Sequence, residues 1–144
     1  MTKMTGKWEW QFIAACAIVL AWTAPAAAET VVVGTGDPNI DVPAVQAAVD
    51  QGGQVILKGR FSFDRPPTIP TGLGEMATVL VSHAVVISGR REEDDEMTSI
   101  QEGTIPFYVE APGASVIIQN VRFVHPTRDG IQVFAVNGLA IVSP

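Results

Sequence analysis

The chain is poor in the residues that crosslink, coordinate metals or stack against sugars. It contains one cysteine, Cys16, two histidines and three tryptophans, and Cys16 and the tryptophans all fall within residues 1–28. A single cysteine excludes an intramolecular disulfide, so packing and backbone hydrogen bonds must stabilise the fold. A zinc site of four close cysteine and histidine ligands is excluded as well, because His83 and His125 are far apart in the sequence and have no cysteine near them.

Motifs for nucleotide and acyl chemistry are missing too. Gly34-Thr35-Gly36 lacks the Gly-Lys-Ser/Thr that completes a phosphate-binding loop, and no segment has the spacing of a nucleophile elbow. Basic residues are few, 9 against 15 acidic ones, which gives a net charge of −6. An acidic surface disfavours nucleic acid and anionic lipid as partners, so we expect neither.

Residues 1–28 have the three-part layout of a secretory signal peptide. Lys3 and Lys7 form a basic start, residues 12–22 are mainly apolar, and three alanines end the segment at Ala28. We therefore predict cleavage after Ala28 and a secreted or periplasmic product. Cleavage leaves 7 basic and 14 acidic residues, a net charge of −7.

Two other interpretations of this segment stay open. The uncharged residues 11–28 approach the roughly 20 residues of a membrane span, so an uncleaved segment would act as an anchor. Cys16 also follows apolar residues in a way that weakly resembles a lipoprotein site, although the apolar run continues beyond it. In either case the membrane would be contacted only through this segment.

Residues 29–53 predict one strand and one short helix. Residues 30–33 are a β-branched run that ends in a turn-rich cluster. Asp41 occupies the expected N-cap position, valines recur at helical spacing from Val42 to Val49, and Gly52-Gly53 supplies a stop. The pattern indicates an amphipathic helix of about ten residues.

From residue 54 onward, short apolar strands recur at a fixed spacing. The interval from Val85 to Val116 exceeds the interval from Val116 to Leu139 by about eight residues, and a charged insertion of that length accounts for the difference. The interval from Phe107 to Ile131 is nearly equal to the interval from Val116 to Leu139. A fixed offset is typical of stacked coils, so we predict an all-β fold, a right-handed parallel β-helix (solenoid) over residues 54–144 with a short N-terminal capping α-helix. A sandwich or jelly roll is the alternative.

Several segments resemble one known superfamily. Residues 41–50 and 52–59 resemble the capping helix and first strand of pectate-lyase-like right-handed β-helix proteins, and residues 86–89 and 113–123 look like their coils. The resemblance implies the same fold and an exported, carbohydrate-active protein of the polysaccharide lyase or hydrolase kind, with polysaccharide as its partner. Because the chain stops inside a coil at Pro144, we expect it to be the N-terminal part of a longer protein.

The same superfamily also contains non-enzymatic surface proteins, so a structural β-helix protein is the alternative function. The resemblance implies Ca²⁺ held by carboxylates, and the chain has one acidic run that offers candidate metal ligands: Glu92, Glu93, Asp94 and Asp95. Consecutive carboxylates diverge from one another, so a solvated loop is the competing interpretation.

Catalytic residues are not assigned by sequence alone. His83 and His125 each follow a strand, and Asp129 comes soon after His125, which makes an acid-base pair conceivable. Asp129-Gly130-Ile131 is similar to a segment of polygalacturonases, but no second aspartate occurs at a matching position one coil away. Gln119-Asn120 is predicted to be a polar corner between two strands.

Overall fold

The computed structural model describes residues 28–72, 74–90 and 97–142, with the side chains of residues 134–140 and 142 outside the description. The signal-peptide prediction, apart from Ala28, and the acidic run at Glu92, Glu93, Asp94 and Asp95 therefore lie outside the described residues. The elements in chain order are β1 (Glu29–Val33), α1 (Pro38–Gln51), β2 (Gly53–Lys58), β3 (Arg60–Ser62), β4 (Ile69–Pro70), β5 (Met76–Ala77), β6 (Val79–Val81), β7 (Val85–Arg90), β8 (Ser99–Gln101), β9 (Phe107–Gln119), β10 (Arg122–Val124) and β11 (Ile131–Val142).

α1 begins earlier than the sequence pattern predicted. The helix is 14 residues long, and its N-cap is Asp37, whose side chain accepts a hydrogen bond from the Asn39 N–H at 2.9 Å. The prediction of Asp41 as the N-cap is therefore wrong. The predicted apolar face is confirmed, because Val45 and Val49 are fully buried in the core, and Gly52 ends the helix as expected.

The larger sheet is parallel throughout and has the strand order β1-β2-β7-β9-β11, with β6 also paired to β9. Its register confirms the offsets found in the sequence. Val85 pairs with Val116, and Val116 pairs with Leu139. Phe107 likewise pairs with Ile131. The recurring spacing of these strands therefore reflects direct neighbours in one sheet.

The smaller sheet consists of three short parallel strands in the order β10-β8-β3. One residue of each strand, Phe61, Ile100 or Phe123, faces the core that the two sheets share with α1. Phe107 extends this packing, since its ring makes edge contacts with Phe63 and Phe123 at centroid distances of 6.0 and 6.1 Å. Because successive side chains of a strand point to opposite faces of the sheet, the residues next to these three on β3, β8 and β10 lie on the outer face.

The predicted fold class, an all-β right-handed parallel β-helix, is wrong. The structure is mixed, because α1 contributes its valines to the same core as the two parallel sheets, and the described residues do not form a solenoid of equivalent coils. β4 and β5 form an antiparallel pair, and β6 branches from the main strand order. Strand spacing reports which strands are neighbours, but it does not determine the path of the chain between them.

The segment around β4 and β5 builds a second, smaller core. Tyr108, Ala77 and Ile105 are fully buried there, with Ile69 and Leu80 packed against them. The Tyr108 hydroxyl accepts a hydrogen bond from the Gly72 N–H at 2.9 Å, which holds the connecting turn against the sheet. In the part of the chain that the structure describes, no helix has the length and apolar character needed to cross a membrane.

Candidate functional site

The outer face of the small sheet carries a basic row. Arg60, Ser99 and Arg122 occupy one register position on β3, β8 and β10. Neighbouring strands lie about 4.8 Å apart, so the Cα atoms of the two arginines are separated by roughly 10 Å. With Gln101 these residues line a shallow groove of about 250 Å³. We call Arg60, Ser99, Gln101 and Arg122 the basic face.

Titratable residues lie where the same three strands end. Glu102 follows β8 directly, His125 follows β10 directly, and Asp64 comes shortly after β3. The Glu102 N–H donates to the Val124 carbonyl at 2.9 Å, so the parallel pairing continues to this point. Together with Arg65 these residues line a groove of about 360 Å³. We call Asp64, Arg65, Glu102 and His125 the acid-base groove.

Glu102 and His125 share an uncommon backbone conformation. Their φ angles are 61° and 52°, in the left-handed region that costs a residue with a Cβ roughly 1–2 kcal/mol. Both residues turn the chain at the end of a strand, and a glycine or asparagine would do so at lower cost. The need to turn the chain explains the positive φ of these residues, but it does not explain why a carboxylate and an imidazole occupy neighbouring positions. Strained residues of this kind concentrate at functional sites.

The chemistry of the two regions is complementary. Arginine recognises carboxylates through paired hydrogen bonds, so the basic face is suited to an anionic ligand. A carboxylate and an imidazole are the groups that most often transfer protons in enzymes, and here they lie beside that face. Both Glu102 and His125 are exposed, so a ligand on the face has direct access to them.

The structure places the histidines and aspartate predicted from sequence in different locations. His125 lies in the acid-base groove, whereas Asp129 is exposed and does not line it. His83 packs against Gly52 at the end of α1, and its buried Nε2 has no hydrogen-bond partner among the described residues. Glu102, and not Asp129, therefore lines the same groove as His125.

Sequence reasoning missed Asp64, Glu102, Arg60 and Arg122. One signal could have found Glu102, because it precedes His125 by the same interval that separates Val116 from Leu139. No comparable signal marks the arginines. β3 and β8 are neighbours although a long stretch of sequence separates them, and the charged insertion accounts for part of that distance.

Calcium stays a prediction for this chain. Among the described residues, no group of three or more histidine, cysteine, aspartate or glutamate side chains is arranged to hold a metal ion. Asp64 and Glu102 by themselves provide fewer oxygen donors than the six to eight that Ca²⁺ prefers. The candidate ligands Glu92, Glu93, Asp94 and Asp95 lie outside the described residues, so the function proposed below includes no step through calcium.

Comparison of the chain with family models, with curated proteins and with solved structures finds no match. The resemblance to pectate-lyase-like proteins therefore has neither support nor opposition from relatives. The geometry of the small sheet is the remaining guide to function.

Proposed function

We propose that the chain is an exported, carbohydrate-active protein that binds an acidic polysaccharide across the basic face and the acid-base groove. The observation that supports this proposal is the register row of Arg60, Ser99 and Arg122 beside Glu102 and His125. An elongated polar surface with two cations suits a polymer that carries repeated carboxylates.

Each side chain has a defined role in this proposal. Arg60 and Arg122 hold carboxylates of the polymer, and Ser99 and Gln101 form hydrogen bonds with hydroxyl groups. Most aromatic rings of the described residues are buried, including Tyr108 and Phe61, so the binding energy comes mainly from charge and hydrogen bonds. Binding should therefore weaken as the salt concentration rises.

The first experiment measures binding of the whole chain to polygalacturonate and to a neutral glucan by calorimetry. We expect binding to polygalacturonate alone, and a loss of at least about 10-fold in Arg60→Gln and Arg122→Gln, since a hydrogen-bonded charge contributes roughly 1.5–3 kcal/mol. Arg128→Gln is the matched control, because it removes the same charge outside the basic face. Equal binding to the neutral glucan, or an equal loss in the control, would contradict the proposal.

A second experiment separates an enzyme from a non-enzymatic binding protein. The whole chain is incubated with polygalacturonate, and unsaturated ends and reducing ends are followed by absorbance, with and without a chelator. Catalysis by the acid-base groove predicts product formation that Glu102→Gln and His125→Asn abolish while binding is retained. Binding without product would identify the alternative, a surface or structural protein.

A further inference from the structure

The charge of the outer face changes along the three strands of the small sheet. Arg60 and Arg122 lie in the register row where these strands begin. The next row on the same face consists of Ser62, Gln101 and Val124 and is uncharged. The acid-base groove comes after that row, where the strands end. A ligand that lies along the strands therefore meets the cations at one end and the acid-base groove at the other.

The two ends of this face contact different parts of a bound polymer. Glu102 follows Ser99 by three positions, and His125 follows Arg122 by three positions. A strand rises about 3.3 Å per residue, so roughly 10 Å of backbone separates the basic row from the acid-base groove. Neighbouring sugars of one polymer therefore occupy different electrostatic environments on this surface.

The acid-base groove carries more negative than positive charge. Two exposed carboxylates, Asp64 and Glu102, line it, against one guanidinium, that of Arg65. Among the described residues, neither carboxylate forms an ion pair or a side-chain hydrogen bond. Both carboxylates can therefore accept hydrogen bonds from a ligand, and they repel a sugar carboxylate that is placed beside them.

We infer that the preferred ligand is a polysaccharide of mixed charge, in which a sugar with a carboxylate is joined to a sugar with a free amino group. This inference rests on the proposed function and narrows its substrate class. Arg60 and Arg122 bind the carboxylate, and Asp64 accepts hydrogen bonds from the ammonium group while Glu102 adds to its attraction. A polymer with a carboxylate on every sugar also binds the basic face, but it places a like charge beside Asp64 and Glu102.

The experiment measures binding of the whole chain to oligosaccharides of equal length by calorimetry. Hyaluronan alternates a carboxylate sugar with a neutral N-acetyl sugar, and N-deacetylation converts the neutral sugar to an amine on the same backbone. We expect N-deacetylated hyaluronan to bind at least about 10-fold more tightly than hyaluronan, because it gains a charged hydrogen bond. Equal affinity for the two oligosaccharides would overturn the inference.

The variant Asp64→Asn tests the role of the groove directly. It should weaken binding of N-deacetylated hyaluronan about 10-fold and strengthen binding of oligogalacturonate roughly 2-fold, because the same charge attracts an ammonium group and repels a carboxylate. Damage to the fold would weaken both ligands, and a fall in both affinities would overturn the inference. Asp129→Asn is the matched control, because Asp129 is exposed and does not line the groove. It should change either affinity by less than about 2-fold.

One further ligand excludes simple attraction between the acidic protein and any cation. An oligomer of glucosamine has amines but no carboxylates, so it leaves the basic face empty. We expect it to bind at least about 10-fold more weakly than N-deacetylated hyaluronan. Equal binding would show that the net charge of −6 is sufficient, and it would overturn the inference.

Arg122→Gln distinguishes a failure of this inference from a failure of the proposed function. If Arg122→Gln weakens every ligand that carries a carboxylate, but N-deacetylation changes no affinity, the proposed function stands and the inference is wrong. If no ligand with a carboxylate binds the parent chain, both are wrong. Weaker binding in Arg122→Gln, together with opposite effects of Asp64→Asn on the two charged oligosaccharides, would support both.

Discussion

Gln46 pairs with Leu80 through both groups of its side-chain amide, with the Leu80 N–H donating at 2.9 Å and the Leu80 carbonyl accepting at 3.0 Å. One side chain of α1 thereby satisfies the edge of β6 that faces away from β9, in the manner of a neighbouring strand. We expect Gln46→Ala to lower the free energy of unfolding by about 1–2 kcal/mol, because both backbone groups lose their partner.

The matched control is Asp50→Asn, which changes the other partner of the Gln46 amide and leaves the contacts with Leu80 intact. It should change stability by less than about 0.5 kcal/mol, since Asp50 is exposed. Urea denaturation of the parent chain, Gln46→Ala and Asp50→Asn gives the three unfolding free energies to be compared. Equal stabilities for Gln46→Ala and the parent would show that water satisfies Leu80 equally well.

The buried carboxylate of Asp41 is a second support of the helix. Its Oδ1 accepts the Thr35 N–H and hydroxyl at 2.8 Å, and its Oδ2 accepts the Gly36 and Ser62 N–H groups at 3.0 and 2.9 Å. Because both oxygens face donors, an amide in this position would direct its NH₂ group against two of them. Asp41→Asn should therefore cost about 2–4 kcal/mol in unfolding free energy.

Asp37→Asn provides the comparison for that substitution, because asparagine is as effective an N-cap as aspartate. We expect its unfolding midpoint in urea to match that of the parent chain. If Asp41→Asn and Asp37→Asn lowered the unfolding free energy equally, the four hydrogen bonds to Asp41 would not stabilise the fold more than the N-cap does.

The left-handed backbone of Glu102 and His125 predicts a conflict between stability and function. Glu102→Gly and His125→Gly should each leave the unfolding free energy constant or raise it by about 1 kcal/mol, because glycine adopts positive φ without strain. Both should abolish cleavage of polygalacturonate if the acid-base groove is catalytic. Glu110→Gly in β9 is the control and should lower stability by about 1 kcal/mol. Destabilisation of all three variants to the same extent would contradict the strain argument.

Gly89 allows a close approach between β7 and the corner after β9. A Cβ at this position would overlap the Asn120 carbonyl oxygen, a contact that no side chain can accommodate. Gly89→Ala should therefore cost at least ~3 kcal/mol in thermal or chemical denaturation. Gly113→Ala, which meets open space, should cost only about 1 kcal/mol for its positive φ. A small loss of stability in Gly89→Ala would indicate that the corner at Asn120 shifts to make room for the added Cβ.

The export prediction is tested by the mass and N-terminal sequence of the product secreted from a host with a general secretion system. Cleavage after Ala28 predicts Glu29, the first residue of β1, at the new N-terminus. Removal of Ala28 also deletes the acceptor of the Gln54 N–H, a hydrogen bond of 3.1 Å, so the mature chain loses one strand-end contact. A product in the membrane fraction with an intact N-terminus would favour an uncleaved membrane anchor. A lipid-modified Cys16 would favour a lipoprotein.

Much of the local structure could be predicted from the sequence. β-branched runs marked the strands, and the valines from Val42 to Val49 marked the buried face of α1. Recurring intervals, once the charged insertion is allowed for, identified Val85, Val116 and Leu139 as neighbours in one sheet. The N-cap was missed because Asp37 and Asp41 both precede helical residues. Only the fold shows that Asp41 contacts Ser62, which lies beyond the helix on β3.

The sequence by itself determined the strands, the apolar face of the helix, the parallel neighbours and the absence of a disulfide, because these depend on side-chain type and short-range spacing. Tertiary structure decided the mixed fold and both candidate sites. Arg60 and Arg122 share one row only because β8 lies between their strands. Glu102 and His125 line one groove because parallel strands end at the same edge. Contacts of this kind depend on chain path, which local patterns do not encode.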